Sequence, residues 1–253
     1  MNIVLAVFTP EHVNLIGPML KNLNAMLQTN VTIVVHPDYE RVIKPYIANR
    51  DKQLSVSGVI LSPDADGAFI KHTAEGHYDL ARLWAWTRGI GILEFGGEFI
   101  CLDLRTIMLR PARSAWESVR PFPFTLAMPE RIGETGRRQY IPMVLFGRTS
   151  STTKNALELL VRETHRIQAR SDAGAILKTY GSELSAAYTL VKSQMDESGG
   201  AILGAIPQPS VIEKPPLGDA TFLCFPGDPN KGFDGYDWFP VMQLWVKYRD
   251  LAA

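Results

Sequence analysis

The sequence has little cysteine and no long hydrophobic run. Only two of its 253 residues are cysteine, too few for the disulfide framework of a small secreted protein. A membrane-spanning helix needs about 20 consecutive apolar residues, and no run approaches that length, so we expect no membrane insertion. The N-terminus, Met1–Leu5, lacks the basic segment and cleavage site of a signal peptide and is typical of a first strand. A cytoplasmic location is expected.

Complete cofactor motifs are also missing. The glycines at 89–91 follow a predicted helix rather than a strand and do not complete a G-x-G-x-x-G dinucleotide fingerprint. The five histidines show no metal-ligand spacing and no H-E-x-x-H motif. Residues 64–66 (Asp-Ala-Asp) match Asp-x-Asp in spelling, but they lie in a segment flanked by Pro and Gly. A solvated turn is therefore favoured there over a metal site.

The net charge is zero, but the charges are unevenly distributed. Residues 105–170 carry a charge of +7, against −3 before them and −4 after them. Eleven of the twelve basic residues in this middle segment are Arg, which binds phosphate and carboxylate in a bidentate manner. The segment is interpreted either as a solvated surface or as a basic face for a polyanionic acceptor.

The first part of the chain alternates strand and helix patterns. Continuous apolar runs predict buried parallel strands at 3–8, 31–35 and 59–61. Residues 9–11 (Thr-Pro-Glu) form a helix start, with an N-cap and Pro at the first helical position, and a second helix is expected to end near Ala48. This β-α-β-α-β order predicts a doubly wound sheet that binds ligands at the carboxyl ends of its strands.

The remaining elements fit one α/β domain spanning 1–253. Its two expected parts are a nucleotide-sugar half, 1–111, and an acceptor half with a diphosphate loop, 112–253. Residues 207–218 are Pro-rich and irregular. Helices are predicted at 78–90, 154–170 and 182–194, and strands before Asp103 and at 125–127, 143–146 and 221–225.

Three segments carry the functional signal. Residues 99–111 read FICLDLRTIMLRP, in which an apolar run is followed by Asp103 and then by Arg105. Tyr78–Leu83 begins a helix and contains Arg82. Residues 224–233 read CFPGDPNKGF and follow the last predicted strand. In this loop Gly227 allows close backbone approach and Lys231 supplies a point charge, an arrangement suited to a diphosphate, although Lys231 also fits a solvated turn.

The three segments resemble, in order, the motifs of glycogenin-like glycosyltransferases (family 8), and the likeness runs from residue 1 to about 235. The resemblance implies a GT-A-like, doubly wound mixed α/β sheet with a Rossmann-like N-terminal half. It also implies a nucleotide-sugar donor, with UDP-sugars favoured, and transfer with retention of configuration. It implies donor-binding roles for Arg82, Asp103, Gly227 and Lys231. Thr9, at a strand end, and Arg105, two residues after Asp103, complete the predicted donor-binding set.

Two positions depart from the family pattern. In that family a second Asp and a later His bind a metal, whereas this chain has Arg105 and Cys224. Mn²⁺ or Mg²⁺ would lose most of its protein ligands, so we expect no metal requirement. The Arg105 guanidinium is predicted to neutralise the leaving diphosphate, while Asp103 orients Arg105 or a sugar hydroxyl. The alternative is that Arg105 is a surface residue of a degenerate, inactive site.

The sequence allows two roles for each of three other residues. Thr9 is placed for a base or ribose contact, but it also fits a simple N-cap. Cys224 lies in an apolar strand and is expected in the core rather than as a ligand. Glu183 is the nearest counterpart of a family carboxylate on a later helix start and is assigned a catalytic hydrogen bond to the acceptor. Glu is also common at helix N-termini for reasons of the helix dipole.

The leading hypothesis is a nucleotide-sugar-dependent glycosyltransferase. An anionic acceptor is expected, and one specific possibility is a hydroxymethylated base in DNA, as in phage DNA-modifying glycosyltransferases. A saccharide acceptor and an inactive nucleotide-sugar or nucleic-acid binding protein stay open. The sequence does not indicate the oligomeric state. The predicted acceptor-binding residues are Arg131, Arg137, Arg138 and Arg148, with Lys154 alongside them.

Overall fold

The computed structural model describes most of the first 225 residues. The described segments are 1–26, 30–48, 54–111, 113, 116–117, 125–133, 136–197, 203–206, 211–212 and 220–225. The strands are β1 (Asn2–Val7), β2 (Asn30–Val35), β3 (Ser55–Ile60), β4 (Glu98–Leu102), β5 (Thr106–Met108), β6 (Leu126–Ile132), β7 (Arg138–Tyr140), β8 (Val144–Arg148), β9 (Leu203–Ile206), β10 (Val211–Ile212) and β11 (Phe222–Cys224).

Seven helices of the described chain accompany these strands, together with a 3₁₀ turn at Pro37–Tyr39. The helices are α1 (Pro10–Ala25), α2 (Glu40–Ala48), α3 (Pro63–Ala74), α4 (Tyr78–Gly91), α5 (Ser151–Gln168), α6 (Ala173–Tyr180) and α7 (Glu183–Glu197). None of the described helices is both long enough and apolar enough to cross a membrane.

The main sheet is mixed, with strand order β3-β2-β1-β4-β8-β6-β7 and β9 paired to β6. Strands β3, β2, β1 and β4 are parallel, and β1, β2 and β4 are buried, as their apolar runs predict. The buried strand expected at 59–61 is wrong, because β3 is the edge strand of the sheet and its Ile60 is exposed. Strand β8 runs antiparallel to β4, and its Arg148 lies opposite Glu98. The expected doubly wound mixed α/β sheet with a Rossmann-like N-terminal half is thereby confirmed.

The side chains of strand β1 point alternately into two hydrophobic clusters, one on each face of this sheet. Its alternate side chains Ile3, Leu5 and Val7 pack in the cluster that contains α1. Val4 and Ala6 pack on the other face with α4. Because both faces are covered, the carboxyl end of β1 opens between helices and not onto bulk solvent, as in other doubly wound sheets.

A second, three-stranded sheet lies beside the end of β4. Strand β5 pairs antiparallel with β11, which places Cys224 opposite Thr106. The backbone N–H of Phe225 then donates to the carbonyl oxygen of Arg105 at 2.8 Å. The last predicted strand therefore meets the segment that carries Asp103 and Arg105.

Helix α3 is the main correction to the sequence analysis. The expected solvated turn at 64–66 is wrong in part: Asp64 and Ala65 are exposed but begin α3, and Asp66 is buried at a kink in that helix (φ −122°, ψ 23°). The Asp66 carboxylate accepts hydrogen bonds from Arg88 Nε at 2.6 Å and from the Ser62 backbone N–H at 3.0 Å. Pro63 occupies the first helical position, where proline is favoured.

Helix α4 approaches the sheet closely through Gly89. A Cβ atom at this position would lie 2.5 Å from Cγ1 of Val4 and 2.9 Å from Cγ2 of Val34. At Gly91, two residues further along the same helix, a Cβ would meet no atom within 4 Å. Gly89, which does not belong to a dinucleotide fingerprint, thus allows α4 to pack closely against the sheet.

The substitution Gly89→Ala is expected to destabilise the fold by about 1–3 kcal/mol, because an overpacked core must shift to admit the methyl group. Gly91→Ala on the same helix is the matched control and should be neutral or stabilise by up to about 1 kcal/mol. Urea unfolding of both variants measures the difference. Equal effects of the two substitutions would contradict the close packing of α4.

Candidate functional site

A cavity of about 230 Å³ lies where β1 and β4 end. Thr9 follows β1, and Asp103 follows β4, its parallel neighbour. Carboxyl ends of parallel strands are where doubly wound sheets bind ligands. The cavity is lined by Phe8, Thr9, Glu11, His12, Tyr78, Arg82, Asp103 and Arg105.

Asp103 begins a tight turn that orients Arg105. The Thr106 N–H donates to the Asp103 carbonyl at 3.1 Å, and the Arg105 N–H donates to Asp103 Oδ1 at 2.9 Å. Short Asp side chains favour such turns because the carboxylate accepts from the backbone two residues on. The Arg105 guanidinium then donates to the same carboxylate through Nε at 2.9 Å and Nη2 at 3.1 Å.

Arg82 approaches Asp103 from the second turn of α4. Its Nε lies 3.0 Å from Asp103 Oδ2, and its Nη2 lies 3.3 Å from Asp79 Oδ1. Its Nη1 donates to the carbonyl of Pro142. The side chains of Arg82 and Asp103 are 5% and 1% exposed, whereas that of Arg105 is 27% exposed. Arg105 is therefore the member of this network that a ligand can reach.

The buried Asp103 carboxylate stays ionised because two guanidinium groups face it. Burial by itself would raise its pKa, but Arg82 and Arg105 outweigh burial and hold the pKa well below its usual range. Conversely, the Asp103 charge raises the pKa of Arg105 further above its ordinary value. Both groups therefore stay ionised at any physiological pH, and the pair, although neutral in sum, exposes its guanidinium to the cavity.

The described residues do not fit a hard divalent cation at Asp103. Three N–H groups of Arg105 donate to its two oxygens and use three of the about four acceptor positions of a carboxylate. The Arg82 Nε atom lies 3.0 Å from Oδ2 as an ion pair without a hydrogen bond, and it places a second positive charge where a cation would have to bind. Cys224 is buried in β11, and burial raises the pKa of its thiol to about 12. A neutral thiol is a poor ligand for Mg²⁺ or Mn²⁺. As predicted, Cys224 belongs to the core.

Thr9 and His12 form the floor of the cavity beside β1. Thr9 caps α1 by accepting from the His12 N–H at 3.3 Å, so the N-cap interpretation of Thr9 holds while its side chain also lines the cavity. His12 Nδ1 accepts from the Phe8 N–H at 3.4 Å. Burial lowers the pKa of His12 to about 4; Asp103 opposes this, and Arg105 and Arg82 add to it.

Sequence reasoning missed five residues of this site: Phe8, Glu11, His12, Tyr78 and Asp79. His12 lies three residues after the N-cap of α1, and Asp79 lies three residues before Arg82 on α4. Residues at such helical spacing share a face. That spacing was the signal available for both, once Thr9 and Arg82 had been selected as site residues.

Glu183 stands at the first position of α7 and does not line the cavity. Its neighbour Leu184 donates its N–H to Asp79 Oδ2 at 3.2 Å. Asp79 in turn pairs with Arg82. The start of α7 is thus connected to Asp103 through two side chains, while a catalytic role for Glu183 stays a prediction.

The predicted acceptor-binding arginines divide between the two ends of the sheet. Arg131 and Arg138 lie on the β6–β7 pair, and Arg137 immediately precedes β7. Strand β6 runs in the same direction as β4, so these three lie towards the Asp103 end. Arg148 pairs with Glu98 at the opposite end of β4, about 17 Å along the strand from Asp103.

Local partners hold two of these arginines. Arg131 Nε donates to Gln139 Oε1 at 3.1 Å, and Arg138 Nη1 lies 3.6 Å from Glu130 Oε2. Lys154 lies in the first turn of α5, just after Arg148, and lines a larger groove of about 960 Å³ that α4, α5 and the segment before β4 enclose. Gly227 and Lys231 lie outside the described residues, so their predicted donor contacts stay predictions.

Solved structures share this architecture. The apo form of the glycosyltransferase GlyE from Streptococcus pneumoniae TIGR4 matches with a TM-score of 0.64 at 11% identity, over 98% of this chain and 59% of that chain. The galactosyltransferase LgtC, solved with donor and acceptor sugar analogues, matches with a TM-score of 0.59 at 13% identity, over 98% and 96%. The chain thus spans about three fifths of the length of GlyE.

A nucleotide-using enzyme of another kind is also similar. The inositol-1-phosphate CTP transferase from T. maritima matches with a TM-score of 0.53 at 10% identity, over 100% of this chain and 97% of that chain. No protein-family model and no curated protein sequence matches the chain. The structural likenesses establish the fold, which is the GT-A fold of glycosyltransferases.

The low pKa of His12 predicts a stability loss in acid. As the pH falls from 6.5 towards 4, the unfolded chain binds a proton that the folded site excludes, so the folded state loses stability. Between pH 7 and pH 5 His12 lowers the free energy of unfolding by about 2 kcal/mol. Urea unfolding at both pH values should show that His12→Gln loses less stability than the wild type.

The control for this measurement is Asn14→Gln, which changes an exposed residue of α1 that does not titrate. It should lose as much stability as the wild type over the same pH interval. If His12→Gln and the wild type respond equally to pH, His12 is not the buried neutral group that the geometry indicates.

Proposed function

We propose that this protein is a glycosyltransferase that uses a nucleotide-sugar donor, with UDP-sugars the first candidates, and that it works without a divalent metal ion. The observation that carries the proposal is the bidentate Asp103–Arg105 pair, which directs a fixed guanidinium into a strand-end cavity of a GT-A fold. The similar solved glycosyltransferases support the class of reaction.

Arg105 is suited to bind the donor diphosphate. Its two side-chain bonds to Asp103 use two of the five N–H donors of a guanidinium, which leaves donors for phosphate oxygens. The Asp103 bonds also fix the orientation of the group before the donor binds. A preorganised cation can stabilise the charge that develops on the leaving diphosphate without reorganising during the reaction.

Charge balance indicates that Arg105 does not act alone. The cavity lining carries Arg82 and Arg105 against Asp103 and Glu11, so its formal charge is zero. A diphosphate would need further positive charge, and Lys231 in the predicted diphosphate loop is the candidate for that role. Phe8 and Tyr78, whose ring centroids are 6.3 Å apart, offer aromatic surface for a base or sugar ring.

The transfer step would depend chiefly on positioning. The acceptor hydroxyl attacks the anomeric carbon on the face from which the diphosphate leaves, so that configuration is retained and no protein nucleophile is required. Holding the two reactants together supplies much of the rate enhancement. Glu183 at the start of α7 is proposed to accept a hydrogen bond from the acceptor hydroxyl.

The acceptor is proposed to be anionic, and a hydroxymethylated base in duplex DNA is one candidate. Arg131, Arg137 and Arg138 support this idea, because they lie towards the Asp103 end of the sheet and Arg phosphate contacts are strong. The position of Arg148 does not support it. A saccharide acceptor is the alternative within the same reaction class.

An inactive binding protein is the second candidate function. The engagement of Asp103 by Arg105 and Arg82 favours it, because Arg105 and Cys224 stand where the glycogenin-like pattern has metal ligands. Such a protein would bind a nucleotide-sugar without turning it over. Release of UDP therefore separates the two candidates.

The first test is donor hydrolysis with a panel of UDP-sugars, with and without EDTA. We expect UDP release that persists in EDTA and that falls about 10²–10³-fold in Arg105→Gln, the loss typical of removing one oxyanion-type donor. Arg105→Lys should retain part of the activity, since it keeps the charge but loses the bidentate geometry. Steady-state kinetics and donor binding measure both variants.

Arg166→Gln, which removes an exposed arginine at the end of α5, is the matched control and should behave like the wild type. Donor binding without any UDP release would replace the transferase proposal with the binding protein. Activity that disappears in EDTA and returns with Mn²⁺ would falsify metal independence.

The acceptor proposal has its own test. Transfer to hydroxymethylated duplex DNA should fall steeply between 50 mM and 200 mM salt, because phosphate contacts release counterions. The double variant Arg137→Gln/Arg138→Gln should weaken DNA binding and lower the salt dependence, while donor hydrolysis without DNA stays at the wild-type rate. Transfer that is indifferent to salt and to these substitutions would favour a saccharide acceptor.

A further inference from the structure

Two histidines and a glutamate meet at the turn between α3 and α4. Helix α3 ends at Ala74, and α4 begins at Tyr78. The turn contains Gly76 at φ +77°, a backbone conformation that favours glycine. It is closed by the His77 N–H, which donates to the His72 carbonyl at 2.9 Å. This closure places His77 beside His72, five residues earlier.

The possible ligand atoms of the cluster form a nearly equilateral triangle. His72 Nδ1 lies 3.5 Å from His77 Nδ1 and 3.7 Å from Glu75 Oε2, and the latter two atoms are 3.4 Å apart. A tetrahedral zinc ion with donors at about 2.0–2.1 Å separates those donors by about 3.3–3.4 Å. The triangle therefore needs to contract by only a few tenths of an ångström to become one face of a zinc site.

We propose that His72, Glu75 and His77 form a zinc site with a fourth position open to water. Two imidazoles and one carboxylate are a donor set that zinc takes in proteins, and imidazole nitrogen suits a transition metal better than Mg²⁺ or Ca²⁺. The histidines show no metal-ligand spacing in the sequence, but the turn brings two of them together with Glu75.

The surroundings leave room for a metal on this cluster. The side chains of His72, Glu75 and His77 are 14%, 41% and 34% exposed, so the cluster is reachable from solvent. The ring of His165 on α5 lies beside it, with its centroid 5.3 Å from that of His72. Lys71 Nζ lies 3.8 Å from Glu75 Oε1, the oxygen that faces away from His72 and His77.

The zinc site would order the start of α4. His77 is the residue before this helix, Tyr78 lines the cavity at Asp103, and Asp79 and Arg82 follow within the first two turns. A metal bound to His72 and His77 would clamp the end of α3 to the start of α4. We assign this zinc a structural role and no part in the chemistry at Asp103.

Direct metal binding tests the proposal without any reference to transfer activity. The intact chain is stripped with EDTA, dialysed and titrated with ZnCl₂ by calorimetry. We expect one zinc ion per chain, a rise in the melting temperature on zinc addition, and affinity at least about 100-fold lower in His72→Gln/His77→Gln. Substitution with Co²⁺ should give the intense visible absorption of a tetrahedral site.

His36→Gln is the control, because it removes one histidine outside the cluster and should keep full zinc affinity. Circular dichroism of each variant without metal verifies that it folds. The proposal is overturned if the wild type binds no zinc, or if His72→Gln/His77→Gln binds it as tightly as the wild type does. EDTA resistance of transfer at Asp103 is a separate measurement, and either result there leaves this one unaffected.

Discussion

The buried carboxylate of Asp103 is the constraint on which the rest of the site depends. An ionised carboxylate away from water is costly unless charge and hydrogen bonds compensate it. Here Arg105 binds it from within its own turn, and Arg82 approaches from α4. Helix α4 must therefore lie close against the sheet, and the missing side chain at Gly89 permits that approach.

The two arginines that compensate the charge of Asp103 also decide which chemistry the site can perform. The Arg105 N–H groups occupy most of the acceptor positions of Asp103, and the two guanidinium charges beside it oppose the binding of a further cation. A guanidinium held by a carboxylate carries a single charge in a fixed direction, whereas a divalent ion carries two and can adjust its ligands. A guanidinium in place of a divalent ion favours a planar, bidentate contact with phosphate oxygens. In the proposed reaction it would also leave more of the diphosphate charge for other cations to neutralise, which is the role predicted for Lys231.

Much of the fold could be predicted because continuous apolar runs identify buried strands, as at β1, β2 and β4. Helix α3 was missed because its first residues, Pro, Asp and Gly, are typical of a turn, and the bond from Arg88 that holds Asp66 joins residues 22 positions apart. Asp103 and Arg105 could be identified from one strand end. The position of Arg148 could not, since it depends on the antiparallel register of β8 with β4.

Helix α4 links the two clusters of ionisable side chains. Its first two turns carry Asp79, which pairs with Arg82, and Arg82, which lies against Asp103. The turn before the helix holds His77 against His72. Asp79 also accepts the N–H of Leu184, so the starts of α4 and α7 share one carboxylate. Any interaction that orders the beginning of α4 therefore acts on the orientation of Arg82 and on the start of the helix that carries Glu183. The predicted donor and acceptor sides of the cavity are in this way coupled through a single helix end.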